Sequence, residues 1–205
     1  MKNIFWYGTA REEKIEYLQK YGVAVIGSRL LMELLWRSGV GRIHYIGDFI
    51  TPNDVRMDAS IKPLEANDYD VVHPMSSDTC IISYMYSGYE ELRRQLKGID
   101  VVVAHKHIET AAKVAEEIGA PFIPSIITTF LPDGVSFFEV EYPTIKRDPI
   151  SYAITCSVQA GEVLRLFTGH EMPVIAPKAY VVDVRSREYL KMIELPLKGS
   201  PKKTY

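Results

Sequence analysis

The chain has 205 residues, of which 47% are hydrophobic and 24% are charged, a composition typical of one globular domain with a sizeable core. Its 24 lysines and arginines against 26 acidic residues give a net charge of −2, which argues against a dedicated nucleic-acid-binding protein. Two cysteines cannot form a disulfide framework or a four-cysteine zinc site, and they favour a reducing compartment.

The N-terminus turns polar after a few residues, and no later stretch approaches the roughly eighteen uncharged apolar residues of a membrane span. The sequence therefore predicts a cytoplasmic protein without a signal peptide or membrane segment. We expect a single domain over residues 1–205, with an N-terminal helical segment over 1–21 and a tail over 196–205.

The first third of the chain predicts a β-α-β unit. A short amphipathic helix over 11–20 precedes the apolar run 22–27, which is bounded by glycines and typical of a strand buried on both faces. Ser28 is placed to cap a helix over 29–38, and a second strand follows over 42–47.

The middle of the chain is harder to interpret over residues 57–88, where Val71-Val72 and Ile81-Ile82 indicate short strands and His73 is expected in a loop. Strands and helices then alternate again. The predicted elements are a helix over 89–97, a strand over 99–104, a helix over 108–118 and a strand over 121–127. This alternation predicts an α/β fold with a mostly parallel sheet and helices on both faces.

The last third changes character. We predict a strand over 135–140 and a long helix over 151–167. The segments 179–184 and 189–194 form a hairpin pattern across four turn residues, which predicts antiparallel strands that extend the sheet.

The first strand-to-helix turn is Gly27-Ser28-Arg29, the place where doubly wound sheets bind phosphates. One glycine stands where a dinucleotide site needs three, which argues against a nicotinamide-dependent oxidoreductase. The helix amides, the Ser28 hydroxyl and the Arg29 guanidinium still suit an anion. The alternative is a plain helix cap with a surface arginine.

A second set of polar residues follows the second strand. Asp48 stands about twenty residues after Gly27, where a carboxylate can accept hydrogen bonds from ribose hydroxyls. Asn53 and Arg56 place an amide and a guanidinium on one side of a turn. Taken alone, these groups are equally consistent with loop stabilisation.

Seven motifs occur in an order known from one enzyme family. They are GVAVIGS, LLWRSGVGRIHYIGD, PNDVR, LKGIDVVVA, AAKVAEEIGAPFI, SVQAGEVLRLFTG and YVVDVRSREYLKMIELP. This series, roughly Val23 to Leu195, resembles the ThiF/MoeB/E1-like adenylating family. Members use ATP to adenylate a carboxylate, usually the C-terminus of a ubiquitin-like or sulfur-carrier protein, on a homodimeric or pseudo-dimeric scaffold. The resemblance implies a Rossmann-like mixed sheet, ATP accompanied by Mg²⁺, and a homodimer.

The resemblance also implies roles for particular residues. Asp48 would hold the ribose, Asn53 and Arg56 the phosphates, and Lys62 would neutralise phosphate charge. Arg11 is a candidate for the arginine that reaches the triphosphate from the partner subunit in this family. The alternative for Arg11 is an exposed helix charge.

The sequence departs from the family at two places. The glycine-rich turn survives only as Gly27-Ser28, and the family's Asp-Ala-Thr-Asp-Asn is replaced by residues 104–108, AHKHI. His107 therefore replaces the magnesium-binding aspartate and is a poor ligand for a hard cation. Lys106 can neutralise triphosphate charge, and His105 or His107 can contact an acyl phosphate or an aromatic substrate. The alternative is that one histidine packs inside and Lys106 is solvated.

The sequence leaves alternatives for the roles of two residue types, the cysteines and the tyrosines. Cys80 and Cys156 are most simply buried structural thiols. Three of the 13 tyrosines, Tyr84, Tyr86 and Tyr89, cluster before the strand predicted over 99–104 and either line a pocket for a flat polar ligand or cover a dimer surface.

The sequence thus predicts an ATP-dependent adenylyltransferase that activates a carboxylate on a small molecule or carrier protein, with a downstream acyl-acceptor protein as a further partner. Arg56, Lys62, Lys106 and Arg11 are its predicted catalytic residues. Its short length, missing zinc cysteines and altered glycine turn resemble the archaeal branch that serves the iron-guanylylpyridinol cofactor of [Fe]-hydrogenase, whose substrate would be a pyridinol carboxyl group. The alternative is a catalytically silent E1-like protein that binds a nucleotide or serves as a scaffold.

Overall fold

The strands and helices alternate along the chain as the sequence predicts. The computed structural model describes residues 18–47, 71–76, 79–125, 127–131, 135–143, 148–169, 171–196 and 198, with the backbone alone over 71–76. The strands are β1 (Gly22–Ile26), β2 (Arg42–Ile46), β3 (Val71–Ser76), β4 (Thr79–Tyr84), β5 (Val101–Ala104), β6 (Phe122–Pro124), β7 (Lys178–Val182) and β8 (Leu190–Glu194). The helices are α1 (Arg29–Arg37), α2 (Tyr89–Gln95), α3 (Ile108–Ile118) and α4 (Pro149–Thr168).

Six strands form one sheet in the order β3-β4-β2-β1-β5-β6. The five strands from β4 to β6 are parallel, and β3 pairs antiparallel with β4. His73 therefore lies in a strand, and the prediction of a loop there is wrong. The α/β fold class with a mostly parallel sheet is confirmed.

The strands at the centre of the sheet are apolar because both of their faces are covered. Val23 and Val25 of β1 pack in a core with Leu31 of α1 and Val163 of α4. The alternate residues Ala24 and Ile26 pack on the other face in the core that includes residues of α2 and α3. Burial of both faces explains why β1 reads as a continuous apolar run.

The order of the strands in the sheet reverses at β1. This reversal brings the turn after β1 next to the loop after β5. The chain passes from β1 through α1 to β2 on one side, and β5 lies on the other side of β1. The turn after β1 and the loop after β5 therefore meet at the carboxyl edge of the sheet. Doubly wound sheets bind ligands at such a switch point.

The prediction of a strand over 135–140 is wrong. Residues Phe137–Glu139 form a 3-10 helix, because the Ser136 hydroxyl accepts from the Phe138 amide and the Glu139 carboxylate accepts from the Ser136 amide in a capping box. The ring of Phe137 is buried against Phe122 at a centroid distance of 5.8 Å. Local side-chain hydrogen bonds thus outweigh the apolar pattern of this segment.

The C-terminal hairpin forms as predicted, but it does not extend the main sheet. Strands β7 and β8 pair antiparallel in a separate two-stranded sheet. Tyr180 of β7 forms an isolated antiparallel bridge with Thr128, and Ile175, which precedes β7, forms an isolated parallel bridge with Phe130. Strand β6 ends at Pro124, short of the predicted 121–127, since proline has no amide to continue a ladder.

Of the helices described, none combines the length and the apolarity needed to cross a bilayer. The helix predicted over 11–20 lies outside the described residues apart from its last three positions, and so does most of the tail predicted over 196–205.

Candidate functional site

A crevice lies where the turn after β1 meets the loop after β5. The amides of His105 and Lys106 both donate to the Ile26 carbonyl, at 2.8 and 3.2 Å, and the Gly27 amide donates to the Ile46 carbonyl at 2.8 Å. These bonds extend past the ends of the strands and fix the two loops to each other. The crevice therefore has a rigid backbone floor.

The side chain of Lys106 lies directly on Gly27. A Cβ atom added to Gly27 would stand 2.5 Å from Cγ and 2.7 Å from Cβ of Lys106, and Gly27 has a φ of +78°. Only glycine combines this conformation with so close an approach. The lysine itself is exposed. Two motifs that are almost eighty residues apart in the sequence thus converge.

Ser28 begins α1, as predicted, but its hydroxyl faces the interior. The oxygen accepts from the Leu31 amide at 3.3 Å, lies 2.7 Å from the Tyr152 hydroxyl and has no exposed surface. Its contact with a ligand stays a prediction, and such a contact would involve the main chain. The amides at the start of a helix suit this role, and Arg29 stands half-buried at the first position.

The three residues of the loop after β5 have different environments. His105 is buried, with Nε2 at 2.7 Å from Oε1 of Gln159, whereas Lys106 and His107 are exposed. This matches the alternative in which one histidine packs inside. A ligand in the crevice can reach Lys106 and His107, while His105 shapes the loop from beneath.

His107 adopts the left-handed conformation, with φ 51° and ψ 38°, at the N-cap of α3. Its ring stacks on the ring of Tyr86, with centroids 3.6 Å apart and an interplanar angle of 9°. Tyr86 follows β4, and β4 is separated from β5 by two strands of the sheet. The stacked pair therefore spans the carboxyl edge of β2 and β1 beside the crevice.

A polar stripe on α4, which we did not predict from the sequence, supports both loops. Tyr152 and Cys156 lie against Ser28, the Cys156 sulfur at 3.5 Å from the hydroxyl, and Gln159 binds His105. These residues are spaced by four and three positions, which places them on one face of a helix. Polar residues at this spacing in an apolar helix were the available signal.

Burial controls the acidity of the stripe. Burial raises the pKa of Tyr152 to about 12, against a smaller lowering by its hydrogen bond with Ser28. Burial also raises the pKa of the Cys156 thiol. Both groups are therefore protonated at neutral pH and act as hydrogen-bonding supports.

The two cysteines should differ in reactivity. Cys156 is fully buried and Cys80 is half-buried. Because the thiolate is the nucleophile, we expect Cys156 to react with a maleimide at least about a hundredfold more slowly than Cys80 in the native protein. Mass spectrometry of the C80S and C156S variants measures each rate. Equal rates in the native state would contradict the burial of Cys156.

The side chains that the structure describes around the crevice do not suit a magnesium ion bound by the protein. No group of three or more His, Cys, Asp or Glu side chains stands together there to hold a metal. The side chains that reach the crevice carry imidazole and ammonium groups, whereas Mg²⁺ prefers carboxylate oxygen. Five predicted residues lie outside the described ranges: Arg11, Asp48, Asn53, Arg56 and Lys62.

The three tyrosines of the cluster, Tyr84, Tyr86 and Tyr89, each contact another side chain, and a pocket or a dimer surface there stays a prediction. Tyr84 packs edge-on to His44 at 5.3 Å, and the Tyr89 hydroxyl donates to Glu117. A cavity of about 300 Å³ lies elsewhere, beside Phe122 and Ala115. It adjoins the amino end of β6 and is therefore at the edge opposite the crevice.

Solved structures share this fold. PaaA aligns with 90% of this chain and 67% of its own, at 14% identity and a TM-score of 0.62. E. coli MccB solved with ATP aligns with 93% of this chain and 68% of its own, at 15% identity and a TM-score of 0.61. The microcin C7 biosynthetic enzyme MccB in complex with N-formylated MccA gives 14% identity, the same TM-score, and coverages of 93% and 69%.

At this identity the likeness establishes the fold alone, and the chain spans about two thirds of each neighbour's length. The predicted α/β fold is thereby confirmed as one shared with PaaA and MccB. No model of a protein family matches the sequence, and no curated protein is similar to it in sequence.

Proposed function

We propose that this protein is an ATP-dependent adenylyltransferase that activates a carboxylate as its acyl adenylate. The observation that carries the proposal is the close packing of Lys106 on Gly27 at the switch point of the sheet. A cation there lies beside the start of a helix, where phosphate groups bind in such folds. A neighbour in fold, MccB, is solved with ATP, which supports the choice of nucleotide.

The reaction needs positioning and charge stabilisation more than covalent help from the protein. A carboxylate oxygen of the substrate attacks the α-phosphorus of ATP, and the bond from that phosphorus to the bridging oxygen of the β-phosphate breaks. Pyrophosphate leaves with the electron pair. The ammonium group of Lys106 offsets the charge that develops on it, and the α1 amides hold the phosphates.

The remaining roles follow the family resemblance. Asp48 binds the ribose, Asn53 and Arg56 bind the phosphates, and Lys62 adds charge. Arg11 comes from the second subunit of a homodimer. Mg²⁺ would accompany the nucleotide, since no group of three or more His, Cys, Asp or Glu side chains in the described residues stands ready to hold it.

For the substrate, we propose the carboxyl group of a guanylylpyridinol precursor of the [Fe]-hydrogenase cofactor. The missing zinc cysteines and the altered glycine turn at Gly27-Ser28 support this branch of the family. A carrier-protein C-terminus is the competing acceptor, since MccB is solved in complex with N-formylated MccA. A downstream protein would then take the acyl group.

A second candidate function is a catalytically silent nucleotide-binding or scaffold protein. The specific observation in its favour is that His107, which replaces the family's metal-binding aspartate, stacks on Tyr86. Pyrophosphate exchange separates the two candidates. The chain with ATP, Mg²⁺ and a candidate carboxylate should exchange labelled pyrophosphate into ATP, and a K106A variant should lose most of this activity. ATP binding without exchange for any carboxylate class would favour the scaffold.

The ribose and phosphate assignments predict separate effects on affinity. We expect D48A and R56A each to weaken ATP binding about tenfold, or 1.4 kcal/mol, because each removes a charge-assisted hydrogen bond. Isothermal calorimetry with ATP and AMP measures the change. R56A should affect ATP more than AMP, and D48A should affect both equally. Unchanged affinity in both variants would refute the assignments.

A further inference from the structure

The stacked pair of Tyr86 and His107 is not explained by packing of the core alone. His107 is the one non-glycine residue with positive φ in the described part of the chain, and it is exposed. A non-glycine residue in this conformation is disfavoured and persists where its surroundings hold it. Such residues cluster at functional sites.

The contacts of His107 show what holds it. Its side chain makes no capping hydrogen bond to α3, while its carbonyl accepts from the Ala111 amide at 2.9 Å. The ring contact is with Tyr86, and Tyr86 in turn packs against the core cluster that contains Leu92 and Leu96. Tyr86 is thus a fixed platform, and the imidazole rests on it.

We propose that Tyr86 is a positioning residue of the crevice, which sets the orientation of His107 so that the imidazole edge faces an anionic ligand held beside Lys106. The ligand class is a phosphate or carboxylate, as in the proposed adenylylation, on which this inference rests. Stacking on Tyr86 fixes the plane of the imidazole, because rotation about its Cβ–Cγ bond would turn the ring out of the stack, and the ring edge therefore keeps its orientation.

A double-mutant cycle on ATP affinity tests the inference. The variants are Y86A, H107G and the double variant, with Y86F as the conservative replacement. H107G removes the ring but retains the left-handed backbone, which glycine tolerates. Y89A is the matched control, since the Tyr89 hydroxyl contacts Glu117 rather than His107.

We expect Y86A to weaken ATP binding about five- to tenfold, with Y86F and Y89A close to the unaltered protein, in the range measured for contacting pairs. In the H107G background, Y86A should have no further effect. The ring-proton resonances of His107 should move downfield in Y86A, because the stacked phenol no longer shields them. Thermal unfolding and circular dichroism confirm that each variant folds.

The outcomes separate this inference from the proposed function. Equal losses from Y86A with and without His107, or His107 resonances unmoved in Y86A, would overturn the positioning role while ATP binding stands. An unaltered protein that binds no ATP would overturn the adenylylation proposal and with it the ligand assigned to His107.

Discussion

Replacing Gly27 with alanine should both destabilise the protein and weaken its binding of ATP. The left-handed backbone costs alanine about 1–2 kcal/mol. The new methyl group would also meet Cβ and Cγ of Lys106 at 2.7 and 2.5 Å, and overpacking of this kind costs about 1–3 kcal/mol. Because Lys106 must move, we expect ATP affinity to fall at least about tenfold, which is 1.4 kcal/mol. Urea unfolding and calorimetry measure the two effects.

Gly98 offers a matched control for this substitution. It has a φ of +74°, close to that of Gly27, but an added Cβ would have no neighbour within 4 Å. G98A should therefore cost only the backbone penalty of about 1–2 kcal/mol and leave ATP affinity unchanged. If G27A and G98A had equal effects on stability and on binding, the contact between Lys106 and Gly27 would have no role.

Replacing Gln159 with leucine should strongly destabilise the protein. Gln159 has no exposed surface. Its side-chain oxygen lies 2.7 Å from Nε2 of His105, and its side-chain nitrogen donates to the carbonyls of Pro124 and Ile127 at 3.1 and 3.4 Å. Leucine leaves these buried groups without that partner, at about 1–3 kcal/mol per group and about 3–5 kcal/mol in total, since such losses are not additive.

The Q159L variant should also bind ATP more weakly, because His105 no longer anchors the loop that carries Lys106. Gln95 is the control. It is 5% exposed, but its amide nitrogen bonds only Glu91 at 3.1 Å and the Met85 carbonyl at 3.5 Å, and its oxygen has no hydrogen-bond partner. Q95L should cost about 1 kcal/mol. A cost of that size for Q159L would show that the loop is held by other contacts.

The parts of the fold that sequence reasoning predicted are those with a local signal. The run 22–27 lies between buried helices and is apolar throughout, and Ser28 and Gly119 mark the start of α1 and the end of α3. Burial on both faces and the capping of helix ends leave marks within a few residues. The predicted boundaries of these elements therefore agree with the structure.

The parts that it mispredicted depend on local chemistry that competes with the apolar pattern. Ser136 and Glu139 have the spacing of a capping box, and that signal outweighed the strand-like segment 135–140. Strand β6 ends at Pro124, whose missing amide cannot continue a ladder, and the hairpin forms a sheet of its own.

The position of the site could be predicted from the sequence, but the side-chain contacts that hold its loops could not. The sequence predicted that Gly27 and Lys106 lie at one edge of the sheet. Each follows a strand, and the alternation of strands and helices predicts that these two strands are parallel. It could not show that Tyr86 reaches His107 across two intervening strands, or that Gln159 binds His105 from α4. Contacts between distant elements have no periodicity in the sequence.

A crystal structure of the chain with ATP tests the central claim most directly. We expect the phosphates to lie over Gly27 at the start of α1, within reach of the Lys106 ammonium group, and Asp48 and Arg56 to converge on the same nucleotide. A nucleotide bound elsewhere, such as the cavity beside Phe122 at the opposite edge of the sheet, would contradict it.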